Sequence, residues 1–240
     1  ANAMSSSLIP TVSRSFSGGD KGDVNSKISM VIRFATIVSF PCAIGLAVVS
    51  VPVMGILFNS ADDAILASYL MIIGSAVVVL YSISTVTNAI LQGTNLINKP
   101  VKNAAISLVI HFIVLYILLF AFKLNVIGLV FGNMVFALSM CILNARSIRK
   151  NLYYRQEVIK TFLMPFICAG IMGIAVYIAY AALRTFTQSR AFLTMIPVAV
   201  GVPVYAMLLI GTRTISKNEI LQMPKGKKLV SILQKVRLLK

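Results

Sequence analysis

The fold is decided by residues 64–98, which read AILASYLMIIGSAVVVLYSISTVTNAILQGTNLIN and contain no charged side chain. A helix of this length covers roughly 50 Å at ~1.5 Å per residue, more than the ~30 Å hydrocarbon core of a bilayer. At ~100° per residue, the polar side chains of its second half share about one third of the circumference. This polar stripe comprises Tyr81, Ser84, Thr85, Asn88, Gln92 and Asn95. We predict a membrane-spanning helix that turns the stripe toward other helices or a water-filled path. The run 89–93 leads to its end, and Asn98-Lys99-Pro100 prevents its continuation.

The composition of the whole chain is that of an integral membrane protein. Of its 240 residues, 58% are hydrophobic and 12% are charged, against about 25% charged in soluble domains. The mean hydropathy is +0.92. The apolar runs are continuous rather than alternating, which predicts helices instead of a β-barrel. The net charge of +16 is scattered among the links between these runs, so it indicates membrane topology and no nucleic-acid partner.

Six charge-free runs are each long enough to span a bilayer. They are 34–61, 64–98, 103–122, 124–145, 161–183 and 191–212. A charge at mid-bilayer costs ~2.5–3.5 kcal/mol even on a lenient insertion scale, so six clean runs are not accidental. The chain opens with Ala1-Asn2-Ala3-Met4 and no signal peptide, and residues 3–12 read as the last turns of a further helix. We expect an all-α, polytopic membrane helix bundle that is part of a longer transporter.

The basic residues alternate from one side of the predicted bundle to the other. Links 14–33, 99–102 and 146–160, with the tail from 213, hold nineteen of the 22 Lys and Arg residues. The intervening links hold only Lys123, Arg184 and Arg190, and one of them carries Asp62 and Asp63. The positive-inside rule therefore predicts a multi-pass protein of the cell membrane with a cytoplasmic C-terminus.

The sequence predicts two regions. Residues 1–215 form the transmembrane bundle, and residues 216–240 form a cytoplasmic tail. After Pro224 the tail is basic and amphipathic, which predicts a helix lying on the anionic inner leaflet. The alternative for this tail is a segment that binds a partner protein.

No pattern in the sequence is typical of an enzyme. There is no G-x-S-x-G, H-E-x-x-H or Walker motif. The six acidic residues lie in or beside the links and leave no carboxylate pair for acid–base catalysis. Cys42, Cys141 and Cys168 have no metal-ligand spacing and are accompanied by a single histidine. We predict free thiols, no metal site and no cofactor.

Two groups of side chains are candidate substrate ligands. Arg14 and Arg33 flank predicted cytoplasmic helix ends, where a guanidinium could meet a phosphate at the mouth of a cavity. Topology and contact with lipid headgroups are the alternative role for both. The uncharged candidates, for which interhelical hydrogen bonding is the rival role, are Tyr81, Thr85, Asn88 and Gln92.

His111 is the candidate for ion coupling, because among Asp, Glu and His side chains it alone lies near the middle of a predicted span. Proton-coupled carriers place such groups in the membrane. A hydrogen-bonded packing role is the alternative reading.

Several short pieces, in order, resemble the polysaccharide-transporter branch of the multidrug/oligosaccharidyl-lipid/polysaccharide flippase superfamily, and within it most closely the stage V sporulation protein B group. Each piece is apolar and weak alone, but their order and spacing run over nearly the whole chain. They are SLIPTVS at 7–13, FPCAIGL at 40–46, VMGILF at 53–58, TNAILQG at 87–93 and Lys99-Pro100.

The resemblance implies a two-lobe flippase of about fourteen spans, of which this chain would be the C-terminal lobe, from the end of the eighth span. It implies that an isoprenoid-pyrophosphate-linked sugar, such as a peptidoglycan precursor, is flipped by alternating access in cell envelope or spore wall synthesis. An N-terminal lobe would then be a partner that completes the cavity.

Two other functions stay open at this point. A drug/cation antiporter of the same superfamily is expected to carry a buried acid in this lobe, and none is visible. A membrane scaffold is expected to act through its basic tail, so that deleting residues 225–240 abolishes its function, whereas a flippase loses at most insertion or stability.

Overall fold

The computed structural model describes residues 10, 12–14, 16, 18, 21–154, 156–187 and 189–212. From Lys21 onward the described chain forms seven α-helices and no strand, and residues 10, 12–14 and 16 are also helical. The seven helices are α1 (Lys21–Val48), α2 (Ser50–Leu57), α3 (Ala61–Gly93), α4 (Asn98–Tyr116), α5 (Asn125–Leu152), α6 (Met164–Phe186) and α7 (Arg190–Gly211). One π-helical turn, Ile117–Ala121, extends α4, and another, Ile159–Leu163, precedes α6. Six helical segments, all except α2, are long and apolar enough to cross a bilayer. This confirms the predicted all-α polytopic bundle with six spans.

The first span begins earlier than the charge-free run that predicted it. Helix α1 starts at Lys21 and carries an ion pair between Asp23 and Lys27, 3.8 Å apart at positions i and i+4. The predicted link 14–33 is therefore wrong over residues 21–33. The helix continues beyond the apolar run because backbone N–H and C=O groups are satisfied by intrahelical hydrogen bonds at the membrane surface as well as in hydrocarbon. The same run is divided at Val49, after which the short α2 begins.

The central helix α3 begins before the charge-free stretch and ends before its last residues. The Ser60 hydroxyl accepts a 3.5 Å hydrogen bond from the backbone N–H of Asp63 in the first turn, where negative charge complements the helix dipole. The helix ends at Gly93 because Asn95 adopts a left-handed conformation with φ 61°. Pro100 lies in the first turn of α4, where its missing N–H removes no helical hydrogen bond. The helix thus ends with the run 89–93 that leads to its predicted end, five residues before the charge-free stretch finishes at Asn98.

The prolines divide between helix interiors and helix starts. Pro41 lies inside α1, and Pro197 and Pro203 lie inside α7. Pro165 lies in the first turn of α6. Proline is tolerated there because the first N–H groups of a helix have no intrahelical acceptor.

The order of packing leaves two sequence neighbours apart. Helix α4 packs on α5, α5 on α3, α3 on α1, α1 on α6 and α6 on α7. Helices α5 and α6, although consecutive, make no extensive contact within the described part of the chain. The short α2 packs on α3 and α7, and Arg190 of α7 donates a hydrogen bond to the carbonyl oxygen of Gly55. A space lined by α1 and α3 therefore opens between α5 and α6.

Two buried apolar clusters hold the bundle together. One joins α1, α6 and α7, and in it Tyr205 donates a 2.8 Å hydrogen bond to the backbone oxygen of Ile37. The other joins the start of α1 to the ends of α3 and α5. These three helix ends lie on the same side of the bundle, because consecutive spans cross the membrane in opposite directions. Its members are Val12, Val24, Ile28, Val31, Ile32, Ala35, Val86, Ile90, Leu91, Ile148, Leu152 and Tyr154.

Two predictions fall outside the described residues. The basic tail and the boundary at residue 215 lie beyond Thr212, and most of the predicted opening helix precedes Pro10. Both stay predictions.

Candidate functional site

The space between α5 and α6 is a cavity of about 1330 Å³. On α1 its lining runs from Ile32 to Val48, which is roughly 24 Å at ~1.5 Å per residue and most of the thickness of a hydrocarbon core. The walls are formed mainly by apolar side chains of four helices. Among them are Phe40, Ile44, Val79, Ile83, Met134, Leu138, Ile142 and Phe166. The body of the cavity is therefore suited to an apolar ligand.

One end of the cavity is polar and cationic. Arg146 and Arg149 line it from the last turns of α5, and Gln156 lines it from the link to α6. These residues adjoin the cluster formed by the start of α1 and the ends of α3 and α5, to which the cavity-lining Tyr154 belongs. The cavity thus combines an apolar body with a cationic end, which is the polarity of a lipid with an anionic headgroup.

Tyr154 is a buried phenol at this end, with 6% of its surface exposed. Burial raises the pKa of Tyr154 above its ordinary value, and the nearby Glu157 carboxylate acts in the same direction. The side chain is therefore a neutral hydroxyl at physiological pH. Tyr154 can donate a hydrogen bond at the cationic end without adding charge.

The two predicted arginine ligands lie at this same end of the bundle but in different surroundings. Arg33 is largely buried and lies 3.8 Å from Glu157, measured from Nη2 to Oε2. Arg14 is exposed. The neighbouring Ser13 hydroxyl donates a 2.7 Å hydrogen bond to the carbonyl oxygen of Gly93 at the end of α3. Neither arginine lines the cavity described above, and their role in binding stays a prediction.

The polar stripe of α3 lies on the other side of the helix from the cavity. The cavity-lining residues of α3 are Ser75, Ala76, Val79, Leu80, Ile83 and Thr87. At ~100° per residue these positions point roughly opposite to the four predicted substrate ligands on the stripe. Those four are placed differently from one another: Tyr81 and Gln92 are exposed, and Thr85 and Asn88 are half-buried.

A buried amide explains part of the polar face of α3. Asn144 of α5 is fully buried, and its Nδ2 donates hydrogen bonds to Asn88 Oδ1 at 2.8 Å and to Thr87 Oγ1 at 3.0 Å. Its Oδ1 accepts a 2.9 Å hydrogen bond from Asn103 of α4. Tyr81 meanwhile packs against Phe136, with ring centroids 6.3 Å apart. For Asn88 the structure therefore shows the interhelical hydrogen bond that the sequence left as the rival to substrate binding.

His111 is held by the backbone of the next span. Its Nδ1 lies 2.8 Å from the carbonyl oxygen of Gly132, so Nδ1 carries a proton because a carbonyl can only accept. A Cβ at residue 132 would lie 3.2 Å from the imidazole Cε1, which explains why glycine is there. The ring also packs against Phe136. These contacts are those of a packing residue, and the coupling role stays a prediction.

The residues that sequence reasoning missed are Arg146, Arg149 and Gln156. Both arginines were assigned to a basic link, but α5 continues to Leu152 and places them three residues apart on one helical face. The signal in the sequence was this spacing directly after an apolar run. The packing of α5 on α3 turns these two arginine side chains toward the cavity, and this packing is not visible in the sequence.

Cysteine and metal chemistry add nothing to this site. Cys42, Cys141 and Cys168 are free, and the Cys141 thiol donates a 3.1 Å hydrogen bond to the carbonyl oxygen of Leu80. Among the residues that the structure describes, no three His, Cys, Asp or Glu side chains converge as metal ligands would.

Fold and cavity together define a polytopic helical membrane protein with a tall apolar cavity that is cationic at one end. The family model described as lipid II flippase MurJ matches residues 1–206, and the chain belongs to that family. This confirms the resemblance to flippases, whereas the nearer resemblance to the stage V sporulation protein B group stays a prediction.

Two curated relatives are similar to this chain. Lipid II flippase MurJ of Bacillus subtilis is 27% identical over 215 residues, which cover 85% of this chain and 39% of the relative. The probable low-salt glycan biosynthesis flippase Agl15 of Haloferax volcanii is 29% identical over 142 residues, which cover 59% of this chain and 29% of the relative. The chain therefore spans less than half the length of either relative.

Proposed function

We propose that this chain is the C-terminal lobe of a transporter that flips a lipid-linked saccharide across the cell membrane by alternating access. The observation that carries the proposal is the cavity between α5 and α6, which is apolar along most of a bilayer thickness and cationic at one end. An isoprenoid chain matches the apolar walls, and the pyrophosphate matches the arginines. Membership of a flippase family supports the same proposal.

The proposed cargo is a peptidoglycan precursor or a related isoprenoid-pyrophosphate-linked sugar. The relatives that the chain resembles are named as flippases for lipid II and for glycan biosynthesis. A role in spore wall synthesis belongs to the finer resemblance and is proposed with it. A drug/cation antiporter is disfavoured by a specific feature, because two arginines lining the cavity repel a cationic substrate.

The orientation is also part of the proposal. The basic links and the tail belong on the cytoplasmic side, so the cationic end of the cavity opens toward the cytoplasm, where lipid-linked precursors are loaded. Arg14 and Arg33 lie at this end and are proposed to attract the pyrophosphate. The exposed part of the polar stripe is proposed to face the N-terminal lobe, which completes the substrate path.

The proposal is tested by filling the cavity in the full-length protein reconstituted into vesicles. Ala145 lines the cavity on α5, and Ala145→Trp should abolish transfer of a fluorescent isoprenoid-pyrophosphate-linked disaccharide between leaflets because the indole occupies the lipid path. Ala182 of α6 is also exposed but lies away from the cavity, and Ala182→Trp is the matched control. Equal transfer by Ala145→Trp and the control, with both folded, would contradict the proposal.

A further inference from the structure

The cationic end of the cavity contains guanidinium groups that no acid of the described chain neutralises. Arg146 and Arg149 form no ion pair with any described residue. Their spacing of three residues places like charges side by side on α5, which weakens a helix by a few tenths of a kcal/mol. Two adjacent guanidinium groups at the end of an apolar cavity are a chemical match for an anion with two charged groups.

Each described carboxylate near this end of the bundle already pairs with another basic side chain. Glu157 pairs with Arg33, and Asp23 pairs with Lys27. The remaining described acids are the two aspartates in the first turn of α3. They lie about 24 residues before Val86, whose level on the helix matches the cationic end, and this is roughly 36 Å away at ~1.5 Å per residue. Among the described residues, Glu157 is therefore the one acid near the cationic end, and its ion pair is with Arg33 rather than with Arg146 or Arg149.

An unsatisfied hydrogen-bond donor lies among the same lining residues. The Nε2 atom of Gln156 is buried and has no hydrogen-bond acceptor among the described residues. A buried donor left unpaired costs about 1–3 kcal/mol, so an external acceptor is favoured at this position. Gln156 lines the cavity together with both arginines. This orphan amide is independent of the charge argument and also points to an oxygen-rich ligand.

We propose that Arg146, Arg149 and Gln156 form a subsite for the two phosphates of an isoprenoid diphosphate, at the end of the cavity that continues into its apolar body. The guanidinium groups bind phosphate oxygens with paired N–H donors, and the Gln156 amide donates a further hydrogen bond. The isoprenoid chain extends along the walls formed by α1 and α3. The proposal deepens the proposed function and rests on it, because it names the part of this chain that holds the charged group of the cargo.

The test measures displacement of a fluorescent isoprenyl diphosphate from the full-length protein in lipid nanodiscs. Competitors are farnesyl diphosphate, farnesol and inorganic diphosphate. Arg146→Gln and Arg149→Gln should each raise the Kd for farnesyl diphosphate about tenfold or more, because each removes a charge-assisted contact. Gln156→Leu should raise it severalfold. The apparent affinity for farnesol should not change in any of these variants, and Arg→Lys should restore part of the loss.

Lys150 provides the matched control, because it is an exposed cation on the same turn of α5 that does not line the cavity. Lys150→Gln should leave the Kd unchanged. An equal loss in this control, an unchanged Kd in the double arginine variant, or a parallel loss of farnesol binding would overturn the assignment. Competition by inorganic diphosphate as strong as by farnesyl diphosphate would overturn the lipid as the ligand. If the unaltered protein binds no isoprenyl diphosphate, the proposed function is contradicted. If it binds the lipid but the variants bind equally well, only the assignment of the subsite is contradicted.

Discussion

The side chain of Asn144 shows how a single residue fixes the relative position of helices in a membrane. It is fully buried and hydrogen-bonds to Thr87 and Asn88 of α3 and to Asn103 of α4. Lipid offers no hydrogen-bonding competition, so each unsatisfied polar atom would be costly. Asn144 therefore sets the register of α5 against both neighbours, and this register also directs Arg146 and Arg149.

Replacing Asn144 by leucine, which has a similar volume, is expected to destabilise the bundle by about 1–3 kcal/mol, because Asn88 loses its partner and Asn103 keeps only its hydrogen bond to Ser147. The measurement is the midpoint of thermal unfolding in detergent, followed by circular dichroism. Asn151 is an exposed asparagine on the same helix, and Asn151→Leu should shift the midpoint little. Similar midpoints for the two variants would show that the buried network is energetically unimportant.

At the scale of helices, close approach in the cluster that joins α1, α6 and α7 depends on small residues. A Cβ placed on Gly173 of α6 would lie 2.5 Å from Ile44 Cγ2 of α1, and one on Gly201 of α7 would lie 2.7 Å from Val176 Cγ2. Such distances do not occur between real atoms, so a larger side chain would separate the helices. Association in lipid depends on this kind of packing because no hydrophobic driving force acts between helices.

We predict that Gly173→Ala lowers stability by about 1–3 kcal/mol, since α1 and α6 must move apart or Ile44 must leave its rotamer. Gly170 on the same helix has no atom within 4 Å of its would-be Cβ. Gly170→Ala should be neutral or stabilising, because alanine is the better helix former by up to ~1 kcal/mol. Thermal midpoints of both variants in detergent check this, and a loss of equal size in both would show that contact with Ile44 is not the cause.

At the scale of the whole molecule, the threading of the chain is the feature with the widest consequences. Asp62 lies at the start of α3, and Lys150 lies near the end of α5. The ends of α3 and α5 meet in one buried cluster, so these two residues are at opposite ends of the bundle. The positive-inside rule assigns the end with Lys150 to the cytoplasm.

A membrane-impermeant thiol reagent applied to intact cells should therefore label Asp62→Cys and spare Lys150→Cys. The three native cysteines are first replaced, and permeabilised cells serve as the control in which both positions react. Labelling of Lys150→Cys in intact cells, with Asp62→Cys protected, would reverse the orientation. The proposal of a cytoplasmic cavity mouth would then be wrong.

The sequence by itself determined the class of fold, because the cost of a charge in hydrocarbon and the length of a span are local quantities. Runs such as 64–98 therefore predict six spans, and basic links predict their alternation. The exact helix ends were not determined in this way, since α1 extends through Asp23 and Lys27 and α3 ends at Gly93. A helix does not stop where its apolar run stops.

Only the tertiary structure decided which face of each helix meets a neighbour. The polar stripe of α3 predicted a face turned to other helices or to a water-filled path. The sequence did not decide between them, and in the structure Asn88 is hydrogen-bonded to Asn144 of α5, whereas the cavity lies on the apolar side of α3. The physical reason is that lipid and protein interior are equally apolar, so hydrophobicity does not distinguish an inward from an outward face. Small-residue contacts and interhelical hydrogen bonds choose the face instead. They connect residues far apart in the chain, and the sequence does not reveal their partners.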